Sequence, residues 1–167
     1  MSVDPQFRIH PVTEADVSVI LSLVKELADY EQLSDEVVAT EDDLRRSLFS
    51  PRPVAEAVVG RYEDDPIAFA LFFQSFSTFL GQPGIYLEDL YVRPPYRGRG
   101  FGRRLLVHLA ALAVERGCGR LEWSVLDWNE LAINSYRRAG AVPMDDWTVY
   151  RLSGDALVDL AKEDESP

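Results

Sequence analysis

Seven residues, Tyr96-Arg97-Gly98-Arg99-Gly100-Phe101-Gly102, constrain this chain more than any other segment. They separate an apolar run ending at Val92 from the strongest amphipathic stretch, residues 100–116. There Phe101, Leu105, Leu106, Leu109, Leu112 and Ala113 recur on one side at helical spacing. Alternate glycines let the main chain turn and approach a bound group closely. A helix start presents unpaired N–H groups and a partial positive charge, and arginines add charge-assisted hydrogen bonds. Strand, glycine turn and helix in that order predict an anion site inside an α/β fold. Two common phosphate loops are excluded. The dinucleotide fingerprint needs another glycine spacing and a βαβ unit opening the chain, and no Gly-Lys-Ser/Thr follows for a phosphate-loop NTPase.

Charge sharpens that expectation. The 167 residues carry a net charge of −11, which disfavours a partner bound by neutralising a polyanion, whether nucleic acid or anionic lipid. The distribution is uneven: residues 1–65 hold −9, residues 66–120 hold +4, and residues 121–167 hold −6. Arg93, Arg97, Arg99, Arg103 and Arg104 fall within 12 residues that contain no acid. A solvated basic helix face would give the same counts, but the glycines beside it favour a small anion site in an acidic chain.

The length suits one domain, placed at 1–161, with 162–167 expected to be a disordered acidic tail. Cys118 is the single cysteine, so no intrachain disulfide or all-cysteine metal site is possible, and between two glycines it reads as a packing residue. His10 and His108 lack partner spacing, and no metal site is visible. The start of the chain lacks a basic and apolar leader, and no apolar run is long enough to span a membrane. The expected location is the cytoplasm.

Element signals run throughout. Phe7–Ile9 alternates like a short strand. Thr13-Glu14-Ala15-Asp16 has capping spacing before a stripe of Val17, Ile20, Leu21, Val24 and Leu27. Thr40 repeats the cap before Leu44 and Leu48, and Pro51 follows that helix. Residues 54–59 and 67–73 read as strands around a turn at 62–66, and 85–92 as a strand with largely apolar faces. Strands at 121–126 and 147–152, a helix at 130–139 and a short terminal helix capped by Ser153 complete the pattern. The order β-α-α-β-β-β-α-β-α-β predicts an α/β sandwich around one mostly antiparallel sheet.

Arg97, Gly100 and Gly102 match the Arg-x-x-Gly-x-Gly of the GCN5-related N-acetyltransferase (GNAT) superfamily, which the element order also resembles over nearly the whole chain. Four further segments narrow the likeness: Lys25–Glu31, Tyr86–Val92, Glu122–Glu130 and Ile133–Tyr136 resemble the diamine (spermidine/spermine) and thialysine N-acetyltransferase branch. Leu131 departs from it, where proline would be expected. The resemblance implies a mixed, mostly antiparallel sheet with flanking helices and an acyl-CoA site at a splayed strand pair. It implies acetyl-CoA as co-substrate, without a metal, held by Leu90, Tyr91, Val92, Arg97, Gly98, Arg99, Gly100, Phe101, Gly102 and Asn129. It places Tyr136 against the coenzyme sulfur as general acid, and Glu88 beside the amine as base or as cation anchor.

The expected chemistry follows. A protonated amine must lose a proton, and an apolar strand around Glu88 would raise that carboxylate's proton affinity. A backbone N–H of the bulged strand is available to the developing oxyanion. Tyr30, Glu31, Glu88, Asp89, Glu122, Trp123 and Ser124 fall on the acceptor side, where carboxylates and aromatic faces suit ammonium groups. The implied acceptor is a diamine, polyamine or lysine-like amine, and the implied assembly is a homodimer whose last strands contribute to the contact. Two alternatives stay open: a GNAT enzyme for an antibiotic amine, a protein N-terminus or a lysine, and a non-catalytic acyl-CoA sensor.

Overall fold

The computed structural model describes residues 4–163. Its elements are β1 (Phe7–Pro11), α1 (Val17–Tyr30), α2 (Glu41–Phe49), β2 (Glu56–Tyr62), β3 (Asp65–Ser77), β4 (Gln82–Val92), α3 (Phe101–Glu115), β5 (Leu121–Trp123), α4 (Glu130–Arg138) and α5 (Gly154–Lys162). Helix starts follow their local chemistry. Thr13 donates both its N–H and its Oγ1–H to Asp16, at 2.8 and 2.9 Å, and a 3-10 turn leads into α1. Thr40 Oγ1 accepts from the Asp43 N–H at 3.2 Å at the start of α2. Gly117 and Gly140 follow α3 and α4 with φ of 66° and 91°, a conformation that suits glycine.

The five strands lie in sequence order, antiparallel from β1 to β4. β5 joins β4 in parallel, with α3 as the crossover. The sheet is mixed and mostly antiparallel, as the sequence suggests. One face packs Phe72, Ile85, Leu87, Val92 and β1's Phe7 against Phe101, Leu105 and Leu109 of α3. The other packs Val59, Phe69 and Tyr91 against Ile20, Leu23 and Leu27 of α1. Phe7 and Phe101 stack at 4.3 Å, which fixes the glycine loop's helix to the first strand. Gly60 makes room for that stack, because a Cβ there would lie 2.6 Å from Phe7 Cζ.

Three expectations need correction. The β3–β4 hairpin is longer than the periodicity indicates, with Ser77 facing Gln82. β5 ends at Trp123 rather than Leu126. The strand expected at Trp147–Leu152 does not form, and Trp147, Val149 and Tyr150 are 73%, 83% and 93% exposed. Their alternation suits a strand, but a strand needs a neighbour for its backbone groups. No described strand edge within this chain pairs with them. Residues 164–167 of the expected disordered tail lie outside the described residues, and Lys162 closes α5.

Candidate active site

The site begins with one extra residue. β4 pairs Leu87 with Phe72 and Asp89 with Leu71, so Glu88 has no partner on β3 and forms a bulge. The bulge reverses the side-chain alternation. Ile85 and Leu87 face α3, and after Glu88 that face is continued by Leu90 and Val92, while Tyr91 packs on the α1 side. Asp89, two residues before Tyr91, turns with it toward the end of α1. β4 also loses its second neighbour here, because pairing with β5 stops at Leu87–Trp123. From Glu88 onward the strand's β5-facing backbone borders an open groove of about 1110 Å³.

The glycine loop closes one end of that groove. Gly98 and Gly100 have φ of 75° and 83°, and a Cβ on Gly98 would meet nothing within 4 Å. Gly100 precedes α3 and provides no side-chain cap, so the first-turn N–H groups remain available to a ligand. The five clustered arginines do not act together. Arg93 makes a forked ion pair with Glu26 at 2.7–3.2 Å. Arg99 pairs with Asp4 at 3.0 Å and stacks on Tyr62 at 4.3 Å. Arg104 donates to the Asp4 carbonyl and lies over Phe7. Arg97 and Arg103 line the groove. Arg97 donates from Nε to the Val92 carbonyl at 2.8 Å, with Tyr30 at 4.3 Å and Tyr91 at 5.3 Å from its guanidinium carbon. Open glycines, an uncapped helix start, two cations and an unpaired strand edge fit a long anionic coenzyme with an amide-bearing arm.

The other end is acidic. Glu31, Glu88 and Asp89 line it together, with Tyr136 and Ser124. Glu88 is exposed, so the apolar setting expected for it belongs to its neighbour. Burial, then the charges of Glu88 and Glu31, push the Asp89 carboxyl up to about 6. Burial also raises Glu31. Tyr136 packs against Trp123 at 5.0 Å, and burial followed by the Glu31 charge raises its phenol. A phenol so placed keeps its proton at neutral pH and can give it to a developing anion. Ser124 shares a 2.7 Å hydrogen bond with Tyr86.

Sequence reading and structure overlap unevenly in the groove. Leu90, Tyr91, Val92, Gly98, Gly100, Phe101, Gly102 and Asn129 all line it. Arg99 is turned to the N-terminal segment, Glu122 pairs with Arg120 at 2.7 Å, and Trp123 packs beneath Tyr136. Arg103, Ser135, Arg138 and Arg151 line the groove without having been singled out for it. Arg103 was visible only as part of the basic cluster, since helical phase decides that it, rather than Arg104, meets the groove. Arg151 falls in the segment misread as a strand, so no local signal marked it.

The sheet is split beside a glycine-armed helix, and comparison with known proteins supplies the class, the acetyl-CoA-dependent amine N-acetyltransferases. The acetyltransferase (GNAT) family profile matches residues 21–141, and the chain belongs to that family. It is 37% identical over 164 residues to a thialysine N-epsilon-acetyltransferase of Bos taurus, covering 92% of this chain and 96% of that one. It is 34% identical over 200 residues to an L-ornithine N5-acetyltransferase of Arabidopsis thaliana, covering 93% and 88%. Among solved structures, an integron cassette protein from the mobile metagenome of V. cholerae superposes with a TM-score of 0.80. It is 27% identical and covers 96% of this chain and all of its own.

The buried carboxyl gives a stability prediction. The folded-state value of about 6 for Asp89 lies above its ordinary 3.8, so its contribution is fully present below about pH 4 and is lost as pH rises through 6. Asp89→Asn removes that loss. Denaturant unfolding should find the variant more stable at about pH 8, by up to about 3 kcal/mol, with the gain vanishing near pH 4. A destabilised variant at about pH 8 would contradict the assigned burial.

Proposed function

We propose that this enzyme transfers the acetyl group of acetyl-CoA to a primary amine of a small cationic acceptor, a diamine, polyamine or lysine-like amine such as thialysine. The observation that carries this reading is the three-carboxylate end of the groove, Glu31, Glu88 and Asp89, facing Tyr136. Clustered carboxylates suit a small polycation, whereas a groove for a protein chain would need exposed apolar pockets. The thialysine and ornithine acetyltransferases that the chain resembles carry printed acceptors of the same chemistry. The presence of Glu88, Asp89 and a half-buried Tyr136 also favours an enzyme over a coenzyme sensor, because binding alone requires none of them.

Acetyl-CoA supplies the activated acyl carbon, and the chain's residues supply the proton handling. Glu88 and Asp89 form one proton-accepting unit on either side of the bulge. Asp89, half-buried and pushed up to about 6, takes the proton, and exposed Glu88 anchors the ammonium. The amine nitrogen, freed of its proton, would form the C–N bond to the acyl carbon first, and the C–S bond would break as the charge on the oxygen collapses. Tyr136 gives its hydroxyl proton to the departing sulfur and regains one from the amide nitrogen as that product forms. A backbone N–H of the bulged strand is the donor we assign to the oxygen charge that would develop between these steps.

The reading extends to assembly. Trp147, Val149 and Tyr150 offer exposed apolar surface on a segment with strand alternation, which suits pairing with a second copy in a homodimer. Light scattering should return about twice the 18.9 kDa chain mass; a single-chain mass at working concentration would exclude the dimer.

Thiol release measured over an amine panel tests the acceptor class. Spermidine, diaminopropane and thialysine should release CoA faster than an aminoglycoside or an N-terminal peptide, and the reverse ranking would overturn the proposal. Tyr136→Phe should lower kcat by roughly 10²-fold with a smaller change in KM. Unchanged turnover at saturating substrates would remove Tyr136 from the chemistry.

A further inference from the structure

The end of α1 touches both halves of the groove through consecutive residues. Tyr30 lies with its ring on the Arg97 guanidinium, 4.3 Å from the guanidinium carbon, and its hydroxyl donates to Asn129 Oδ1 at 3.5 Å. That same oxygen accepts from the Ala132 N–H at 3.3 Å and caps α4, the helix that carries Tyr136. Glu31, the next residue, lines the acidic end and raises both Asp89 and Tyr136 by its charge. α1 stops at this point, and Gln32 reverses the chain with φ of 62°, so the two side chains are held on a short, sharply turned segment.

The geometry points to Tyr30 as a positioning residue that couples coenzyme binding to acceptor binding. This rests on the reading that the groove takes acetyl-CoA beside a cationic amine. The tyrosine's likeness-based place was on the acceptor side, but its contacts are with the glycine-loop arginine and the α4 cap.

Arg97 is held on three sides. Tyr30 and Tyr91 flank its guanidinium, and the Val92 carbonyl takes its Nε–H, which leaves the terminal nitrogens for an anion. Arginine carries substantial rotamer entropy, so a stack that fixes its plane lowers the cost of binding an anion there. The relation is reciprocal: an Arg97 held by an anion also holds the Tyr30 ring, and with it the backbone that aims Glu31. Ordering done once by the first ligand need not be repeated by the second, which gives positive cooperativity without a large displacement.

Titration of free CoA, which permits no turnover, tests the coupling on the intact protein. In the wild type, saturating thialysine should tighten CoA binding about fivefold or more. CoA alone should slow amide exchange across residues 29–33. Tyr30→Phe keeps the ring and should retain both effects. Tyr30→Leu should still bind CoA, more weakly, and lose both. The inference is overturned if wild-type CoA binding leaves residues 29–33 unprotected, a measurement that needs no variant. It is also overturned if Tyr30→Leu keeps the full thialysine effect. CoA binding that saturating thialysine leaves unchanged also overturns the coupling, whereas absence of CoA binding altogether counts against the proposed reaction itself.

Discussion

Everything in the groove depends on how β4 loses its neighbour. From Ile85 to Leu87 the strand is paired on both sides, and beyond Leu87 only β3 remains. Buried backbone N–H and C=O groups need partners, so an exposed run in the middle of a sheet persists only where a ligand or water can satisfy it. The split therefore creates demand for an extended, amide-bearing ligand before any side chain is considered. α3 starts beside the split, and its uncapped N-terminus supplies the complementary anion site.

The single-residue bulge turns this opening into a reaction site. Without the bulge at Glu88, strict alternation through residues 87, 88 and 89 would place Asp89 on the α3 face with Leu87, inside an apolar core. With it, Asp89 joins Tyr91 on the α1 side and meets Glu31, while Glu88 is left open to solvent. Two adjacent carboxylates thus acquire different environments, one half-buried and reluctant to ionise, the other exposed. Such separation of similar groups is what proton transfer near neutral pH requires.

Electrostatic sorting then gives the groove two unlike ends. The basic block read from the sequence is real in number but dispersed in space. Arg93, Arg99 and Arg104 are tied to Glu26 and Asp4 as structural braces, and Arg97 and Arg103 remain for the groove. Glu31, from the end of α1, and the adjacent Glu88 and Asp89, from β4, gather in the same groove. Among the described residues no ion pair ties up Arg97, Arg103, Glu31, Glu88 or Asp89, which fits the proposed pairing of an anionic coenzyme with a cationic acceptor.

The sequence by itself determined the helices, the succession of elements along the chain as far as α4, the glycine loop and its attachment to α3. These are set by local rules: hydroxyl caps at Thr13 and Thr40, glycine at positive φ, and the 3.6 and 2 residue periods of buried side chains. It also marked Arg97, Glu88, Asp89 and Tyr136 through motif likeness. What it could not reveal was which arginine faces the groove, which carboxylate is buried, and whether Trp147–Leu152 finds a partner. Those outcomes depend on the bulge at Glu88, the helical phase of α3 and the edge available at β5, where distant segments meet. Side-chain type is a local property, but burial, pairing and proton affinity belong to the neighbours that only the tertiary structure brings together.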